Sequence, residues 1–157
     1  TTLGGLAGLA FVLRRDHRAR VAFLPSDHHF DDELGFRRVL STALASGQTG
    51  ELALLAVEAT HPECDYGWVV PGPLRAVVDG LSVHEVSAFV EKPEATVAQK
   101  LFEGGASWNT FVLLCRAASL WETCLQLVPN HTWLMSPLRH ARTDHHELTM
   151  ARAYGRL

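Results

Sequence analysis

An acid and a base stand side by side in Phe89-Val90-Glu91-Lys92-Pro93. A helix-like stretch ending in Gly104-Gly105 separates them from the aromatic-amide pair in Ala106-Ser107-Trp108-Asn109-Thr110. A lysine ammonium is a compact charge suited to a phosphate, and a neighbouring glutamate accepts hydrogen bonds from hydroxyls. Together they suit a ligand carrying both groups, such as a phosphorylated sugar, although three residues at a strand end serve equally well as a surface ion pair. Tyr66-Gly67 adds a place where a ligand can approach the backbone closely, because glycine has no Cβ; the same dipeptide can also be a simple turn. Asn109 offers two donors and an acceptor and can hold a hydroxyl without imposing charge, while Trp108 can either wall a sugar or pack in a core.

Pro25-Ser26-Asp27-His28-His29 is a further chemical centre. A carboxylate at a strand end, beside a proline that fixes the chain direction, can hold magnesium through oxygen. The structural alternative is that Asp27 caps a helix beginning near Phe30. Adjacent side chains point in different directions on regular structure, so His28 and His29 do not form a metal pair; His28 is read as an orienting residue and His29 as solvent-facing or packing. His140, His145, His146 and Glu147 lack the HExxH spacing and are not read as a metal site. Packing is the preferred account of Trp121, Trp133 and the cysteines.

The elements that must position these groups alternate between helix-like and strand-like patterns. Leu3, Leu6, Leu9, Ala10 and Leu13 recur at helical spacing, with glycines between them that would allow close packing on a sheet. Val21 to Leu24 is a short buried-strand run that delivers Asp27 beyond Pro25, and Phe30 to Ala45 predicts a helix with Leu34, Val39, Leu40, Ala43 and Leu44 on its apolar side and Ser46-Gly47 as its stop. Leu52 to Ala59 and Tyr66 to Val70 read as strands, the second broken by Pro71-Gly72-Pro73. Val83 to Val90 reads as a strand leading into the Glu-Lys-Pro turn, and Pro93 suits the entrance of a helix running to about Gly104. Thr110 to Cys115 is strand-like, Ala117 to Leu127 helix-like with Pro129-Asn130 ending it, and His131 to Leu157 is expected to be an interrupted helical tail. The alternation predicts an α/β fold with a largely parallel or mixed sheet, whose ligands bind beyond strand ends.

Composition agrees with a folded chain. The 157 residues are 47% hydrophobic and 20% charged, with a formal net charge of −3, which fits a globular domain rather than a disordered tail. The mild, mixed charge does not advertise a nucleic-acid surface. Cys64, Cys115 and Cys124 form no CxxC pair, so neither a disulfide scaffold nor a zinc ribbon is indicated and a reducing cytoplasm is the default expectation. The apolar opening to Leu13 is shorter than the roughly 20 residues that cross a bilayer, and its arginines follow the apolar run rather than precede it, so it reads as a buried helix rather than a span or signal peptide.

The order Pro25-Ser26-Asp27-His28, Tyr66-Gly67, Phe89-Val90-Glu91-Lys92-Pro93 and Gly104-Gly105-Ala106-Ser107-Trp108-Asn109 resembles the sugar nucleotidyltransferase family, and within it the mannose-1-phosphate guanylyltransferase branch. The resemblance runs from Thr1 to about Pro129. It implies a layered Rossmann-like fold with an incomplete sheet, residues 1–157 forming a partial catalytic domain that lacks the N-terminal nucleotide-binding signature. It implies catalytic roles for Asp27 and Lys92, with magnesium at Asp27. It places Tyr66, Gly67, Glu91, Lys92 and Asn109 against mannose 1-phosphate, Lys92 on the phosphate. GTP is then the second substrate, and a second copy of the chain is a candidate partner. Two departures stand out. Members typically read Trp-Asn-Ser-Gly where this chain has Trp108-Asn109-Thr110-Phe111, and neither a glycine-rich segment with arginine and lysine nor a second metal-binding aspartate is identifiable within the 157 residues. A sister enzyme using UTP or dTTP and a noncatalytic sugar-nucleotide-binding subunit share the same motifs. Without the glycine-rich loop to cradle a triphosphate, the 157-residue chain alone is expected to release no pyrophosphate from GTP, magnesium and mannose 1-phosphate; robust release would show that the nucleotide site lies within these residues.

Overall fold

A computed structural model describes residues 2–45, 52–140 and 151. The elements are α1 (Thr2–Arg15), β1 (Arg20–Phe23), α2 (Glu33–Ala45), β2 (Ala53–Glu58), β3 (Gly67–Val78), β4 (Leu81–Glu91), α3 (Ala95–Glu103), β5 (Ser107–Arg116), α4 (Ala117–Leu127) and α5 (Pro129–Met135), then a 3₁₀ helix, Ser136–Arg139. The five strands form one sheet in the order β1-β5-β3-β4, with β2 also paired to β5. The α/β class therefore holds, but where a largely parallel or mixed sheet was expected the pairings of β2 with β5, β3 with β4 and β3 with β5 are all antiparallel. The chain divides into two compact units.

The first unit comprises Thr1–Val21, Gly50–Leu52 and Cys115–Leu157. Its core is helical: Leu6, Ala7, Leu9, Ala10 and Leu13 are buried on one side of α1, which packs against α4, α5 and the 3₁₀ helix. Gly4 and Gly8 do not serve the close packing expected of them. Gly4 and Gly8 lie one turn apart on the other face, where an added Cβ would meet nothing within 4 Å. Trp121, Met135 and Leu138 complete the core with Thr132, whose hydroxyl donates to Val128 O at 3.0 Å and so satisfies its buried polar atom. Trp133, expected in the core, is 70% exposed, because Thr132 and Met135 set the inward face of α5 and residue 133 is rotated about 100° away from 132. Pro129 does not simply stop α4; it opens α5 at a position where its missing N–H costs nothing. Burial, with a smaller contribution from Cys124, pushes the Cys115 thiol up to about 11, as befits a packing residue. Of the expected tail, residues 141–150 and 152–157, including His145, His146 and Glu147, lie outside the described residues.

The second unit comprises Ala22–Thr49 and Ala53–Leu114. Here β3 continues through Pro71-Gly72-Pro73, the expected break, to Val78. The prolines are tolerated because the β3–β5 ladder is confined to Trp68 and Val69, so beyond that point β3 is paired on its β4 side, with register shifts at Pro71 and Leu74. Asp79 and Gly80, at φ +49° and +83°, turn the chain tightly into β4, the conformation for which Asp-Gly is favoured. The α3 helix ends in a Schellman motif: Ala106 N–H donates to Leu101 O, Gly105 N–H to Phe102 O, and Gly105 takes φ +74°. This closure delivers the chain directly into β5. It also brings Ala106 into the core with Ala59 and Trp68, against which Leu101, Phe102 and Trp108 pack.

The start of α2 falls at Glu33 rather than Phe30, and Asp32 is its cap: Oδ1 accepts the Gly35 N–H at 2.8 Å, while the Asp32 carbonyl accepts the Phe36 N–H. Asp27 is thus not the cap. Of the expected apolar side of α2, Val39, Leu40, Ala43 and Leu44 are half-buried whereas Leu34, in the first turn, is 79% exposed. Asp32→Ala is expected to lower unfolding stability by about 1 kcal/mol in denaturant titration, and Asp27→Ala to leave it unchanged. Equal losses from both would return the capping role to Asp27.

Candidate functional site

Antiparallel register builds the site. Gly67 pairs with Glu91 across β3–β4, and Trp68 pairs with Trp108 across β3–β5, so one step along the same ladder Gly67 lies beside Asn109. The result is a row Glu91, Gly67, Asn109 crossing three strands on one sheet face. A Cβ at residue 67 would come within 2.7 Å of Glu91 Oε2, 3.0 Å of Phe89 Cζ and 3.5 Å of Asn109 Cβ. Gly67 is therefore the floor over which the Glu91 carboxylate lies, and the close approach demands glycine.

The remaining groups are arranged around this row. Lys92 follows β4 at φ +45°, a costly conformation for a residue with a side chain, and its N–H donates to Tyr66 O at 3.2 Å. Glu91 and Lys92 are both exposed, and among the described residues neither side chain makes an ion pair or hydrogen bond, with the other or with anything else. The expected alternative of a surface ion pair is not what forms. Asn109 is 9% exposed, its Oδ1 accepts the Phe111 N–H at 3.1 Å, and its amide N–H groups have no protein acceptor among the described residues.

Strand pleating directs Tyr66 and Trp68 to the opposite face. There the Tyr66 ring meets Trp108 edge-on at 5.2 Å, and His61 and Trp68 meet the same indole at 4.8 and 6.1 Å. Tyr66 thus reaches the Glu91 side through its carbonyl, which holds Lys92, and not through its ring. Trp68 Nε1 donates to Glu63 O at 2.8 Å, anchoring the loop before β3. In that loop the backbone N–H groups of Asp65 and Cys64, and then His61, hold the Glu63 carboxyl below its usual range.

Asp27 lies outside the strands β3, β4 and β5 that form this row. It is an exposed turn residue after β1, with no hydrogen bond or ion pair among the described residues. His28 packs edge-on against Phe30 at 6.3 Å, and His29 pairs with Asp31 at 3.4 Å, so neither histidine orients Asp27. Among the described residues, no three His, Cys, Asp or Glu side chains gather in a way that could hold a metal ion. Phe111, the departure from the glycine of the resembling motif, takes φ +56°, a conformation that glycine adopts at little cost. None of the described helices is long and apolar enough to cross a membrane.

Replacing Gly67 by Ala is expected to displace the Glu91 carboxylate while preserving the fold, because the atoms in the way are the far ends of side chains. Thermal unfolding should stay within about 1 kcal/mol of the wild type while the Glu91 side-chain resonances move; unchanged resonances would refute the close approach.

A protein named alginate biosynthesis protein AlgA from Pseudomonas aeruginosa is 32% identical over 114 residues, which is 65% of this chain and 23% of that protein. A mannose-1-phosphate guanylyltransferase named RfbM from Salmonella typhimurium is 32% identical over 107 residues, 68% of this chain and 22% of that protein. The match thus spans about a quarter or less of these relatives' length. Among solved structures, one described as mannose-1-phosphate geranyltransferase from Thermus thermophilus superposes with a TM-score of 0.80 at 26% identity, over 96% of this chain and 43% of that one. The family model for nucleotidyl transferase matches residues 2–127, and the chain belongs to the nucleotidyl transferase family.

Proposed function

We propose that the chain is part of a sugar-1-phosphate nucleotidyltransferase that takes mannose 1-phosphate and GTP to GDP-mannose and pyrophosphate. The observation that carries this reading is the unpaired acid and base of Glu91-Lys92, the acid lying beside Gly67 and Asn109 on one sheet face and the base following it in the turn after β4. A ligand offering hydroxyls to Glu91 and Asn109 and a phosphate to Lys92 satisfies all three groups at once, and the relatives named for mannose 1-phosphate act on such a molecule.

In the proposed reaction a phosphate oxygen of mannose 1-phosphate attacks the α-phosphorus of GTP. The new P–O bond forms as the α–β bridge breaks, and pyrophosphate carries the electron pair away. Lys92 holds the sugar phosphate as a point charge, Glu91 accepts from sugar hydroxyls, and the Asn109 amide donates to the sugar. Tyr66 fixes Lys92 through its carbonyl. Such a reaction needs no protein nucleophile, and alignment with charge stabilisation supplies the catalysis. Asp27, an exposed carboxylate without a protein partner among the described residues, fits a magnesium ion whose other ligands are water and substrate phosphates rather than a cage of protein groups. The ion, when bound, offsets phosphate charge.

Lys92→Ala is expected to weaken mannose 1-phosphate binding by about 1.5–3 kcal/mol in titration calorimetry, the range for a hydrogen bond to a charged group. Glu91→Gln should change discrimination among sugar phosphates, and in the complete protein Asp27→Asn should weaken magnesium-dependent turnover with the fold intact. Pyrophosphate release by the complete protein with GTP, UTP and dTTP tests the donor: faster release with UTP or dTTP would replace GTP in the reading, and mannose 1-phosphate binding without release from any nucleotide would make the protein a noncatalytic subunit. Unaltered affinity in Lys92→Ala would remove the phosphate contact.

A further inference from the structure

The β5 strand carries a local defect beside Asn109. Its pairing with β2 runs Leu55 to Val112 and then jumps from Ala56 to Asn109, so Thr110 and Phe111 are looped out of the ladder. The bulge is fastened by three hydrogen bonds. Thr110 Oγ1 donates to Leu55 O at 2.7 Å and accepts from Val112 N–H at 3.3 Å, and Phe111 N–H donates to Asn109 Oδ1 at 3.1 Å. Phe111 itself sits at φ +56° and is 54% exposed, although Asn109, Val112 and Leu114 around it are buried.

For Phe111 the folded chain thus accepts two unfavourable conditions at once, a left-handed backbone in a residue with a bulky side chain and an aromatic ring left half in water. Neither is offset by packing of the ring in the core. Bulges recur beside functional sites because they re-aim a side chain, and this one does two things. It occupies the Asn109 carbonyl oxygen with the Phe111 N–H, which leaves the amide N–H groups of Asn109 for a ligand. It also places an aromatic ring two residues from that amide.

We propose that Phe111 is a specificity-determining residue for the sugar: its ring is a stacking surface for the C–H face of a pyranose whose hydroxyls are held by Asn109 and Glu91. An aromatic surface gains contact with the C–H groups of the ring face it meets and loses it where a hydroxyl stands axial on that face, so epimeric hexoses are told apart. The proposal rests on the sugar-phosphate reading of the site. It adds a discriminating element that neither Lys92 nor Asn109 provides, since a phosphate contact is common to every hexose 1-phosphate.

The test is calorimetric titration of the 157-residue chain with mannose 1-phosphate, glucose 1-phosphate and galactose 1-phosphate. Phe111→Gly, Phe111→Leu and Phe111→Tyr are compared with the wild type. The ratio of affinities among the three sugars is expected to collapse at least threefold towards unity in Phe111→Gly and Phe111→Leu and to be retained in Phe111→Tyr. Phe111→Leu keeps the bulk and the backbone strain, so its loss of selectivity isolates the ring from any structural role, while a higher melting temperature in Phe111→Gly reports only the relief of strain. Unchanged ratios in both Gly and Leu variants, with Lys92→Ala still weakening all three sugars alike, would overturn the role of Phe111 and leave the site reading standing. Absence of binding to all three sugars by the wild type would overturn both.

Discussion

The close approach of the Glu91 carboxylate to Gly67 is the constraint on which the site depends. Two strands must be in register for residue 91 to face residue 67, and a third for residue 109 to lie beside them. The space between them exists only because residue 67 has no Cβ. The deep aromatic packing on the reverse face serves this geometry. Trp68, fully buried and tied by its indole N–H to Glu63 O, pins β3 at the point where it touches both neighbours, so the opposite face can stay open and polar without the ladder slipping. The register and the site are therefore one feature, held by apolar residues on one side and used by polar residues on the other.

Backbone strain is distributed in the same pattern. Among the described non-glycine residues, positive φ occurs at Asp79, Lys92 and Phe111. Asp79 belongs to a tight hairpin turn and is explained by it. The other two flank the Gly67 row, one at the end of β4 and one in the β5 bulge. Each would cost on the order of 1–3 kcal/mol in isolation, and the hydrogen bonds that Lys92 N–H donates to Tyr66 O and Phe111 N–H to Asn109 Oδ1 help to hold these conformations in place.

Much of this was legible in the sequence, for physical reasons that also mark its limits. The strand leading into Glu91 and the helix closed by Gly104-Gly105 follow from apolar periodicity and glycine chemistry, both local properties, whereas β5 begins at Ser107, three residues before the Thr110 start expected. The break expected at Pro71-Gly72-Pro73 did not occur because proline is excluded only where its strand is paired on both sides, and the extent of pairing on the β5 side of β3 is a tertiary fact. Asp79-Gly80 was a readable hairpin signal that the proline-rich run obscured. The helix cap is set by which of several acids lies one residue before the first helical turn, and that choice fell on Asp32 rather than Asp27. Trp133 could not be assigned to a face because α5 is only seven residues long, too short for periodicity to fix its phase.

On the proposed reading, the charge arrangement is what would let so open a site discriminate. Glu91 and Lys92 are adjacent in sequence and opposite in charge, yet the turn at Lys92 separates their side chains instead of closing them into a pair. Had they paired, a ligand would first have to break that interaction and would gain only the difference. Left apart and hydrated, each can exchange water for the matching group of a ligand, and the net change depends on both groups being met together. A free phosphate satisfies Lys92 alone, and a neutral sugar satisfies Glu91 and Asn109 alone. On the proposed reading, only a molecule carrying phosphate and hydroxyls at the right separation meets all of these groups, so selectivity for a sugar phosphate would arise from the spacing of weak, exposed contacts rather than from any one strong one.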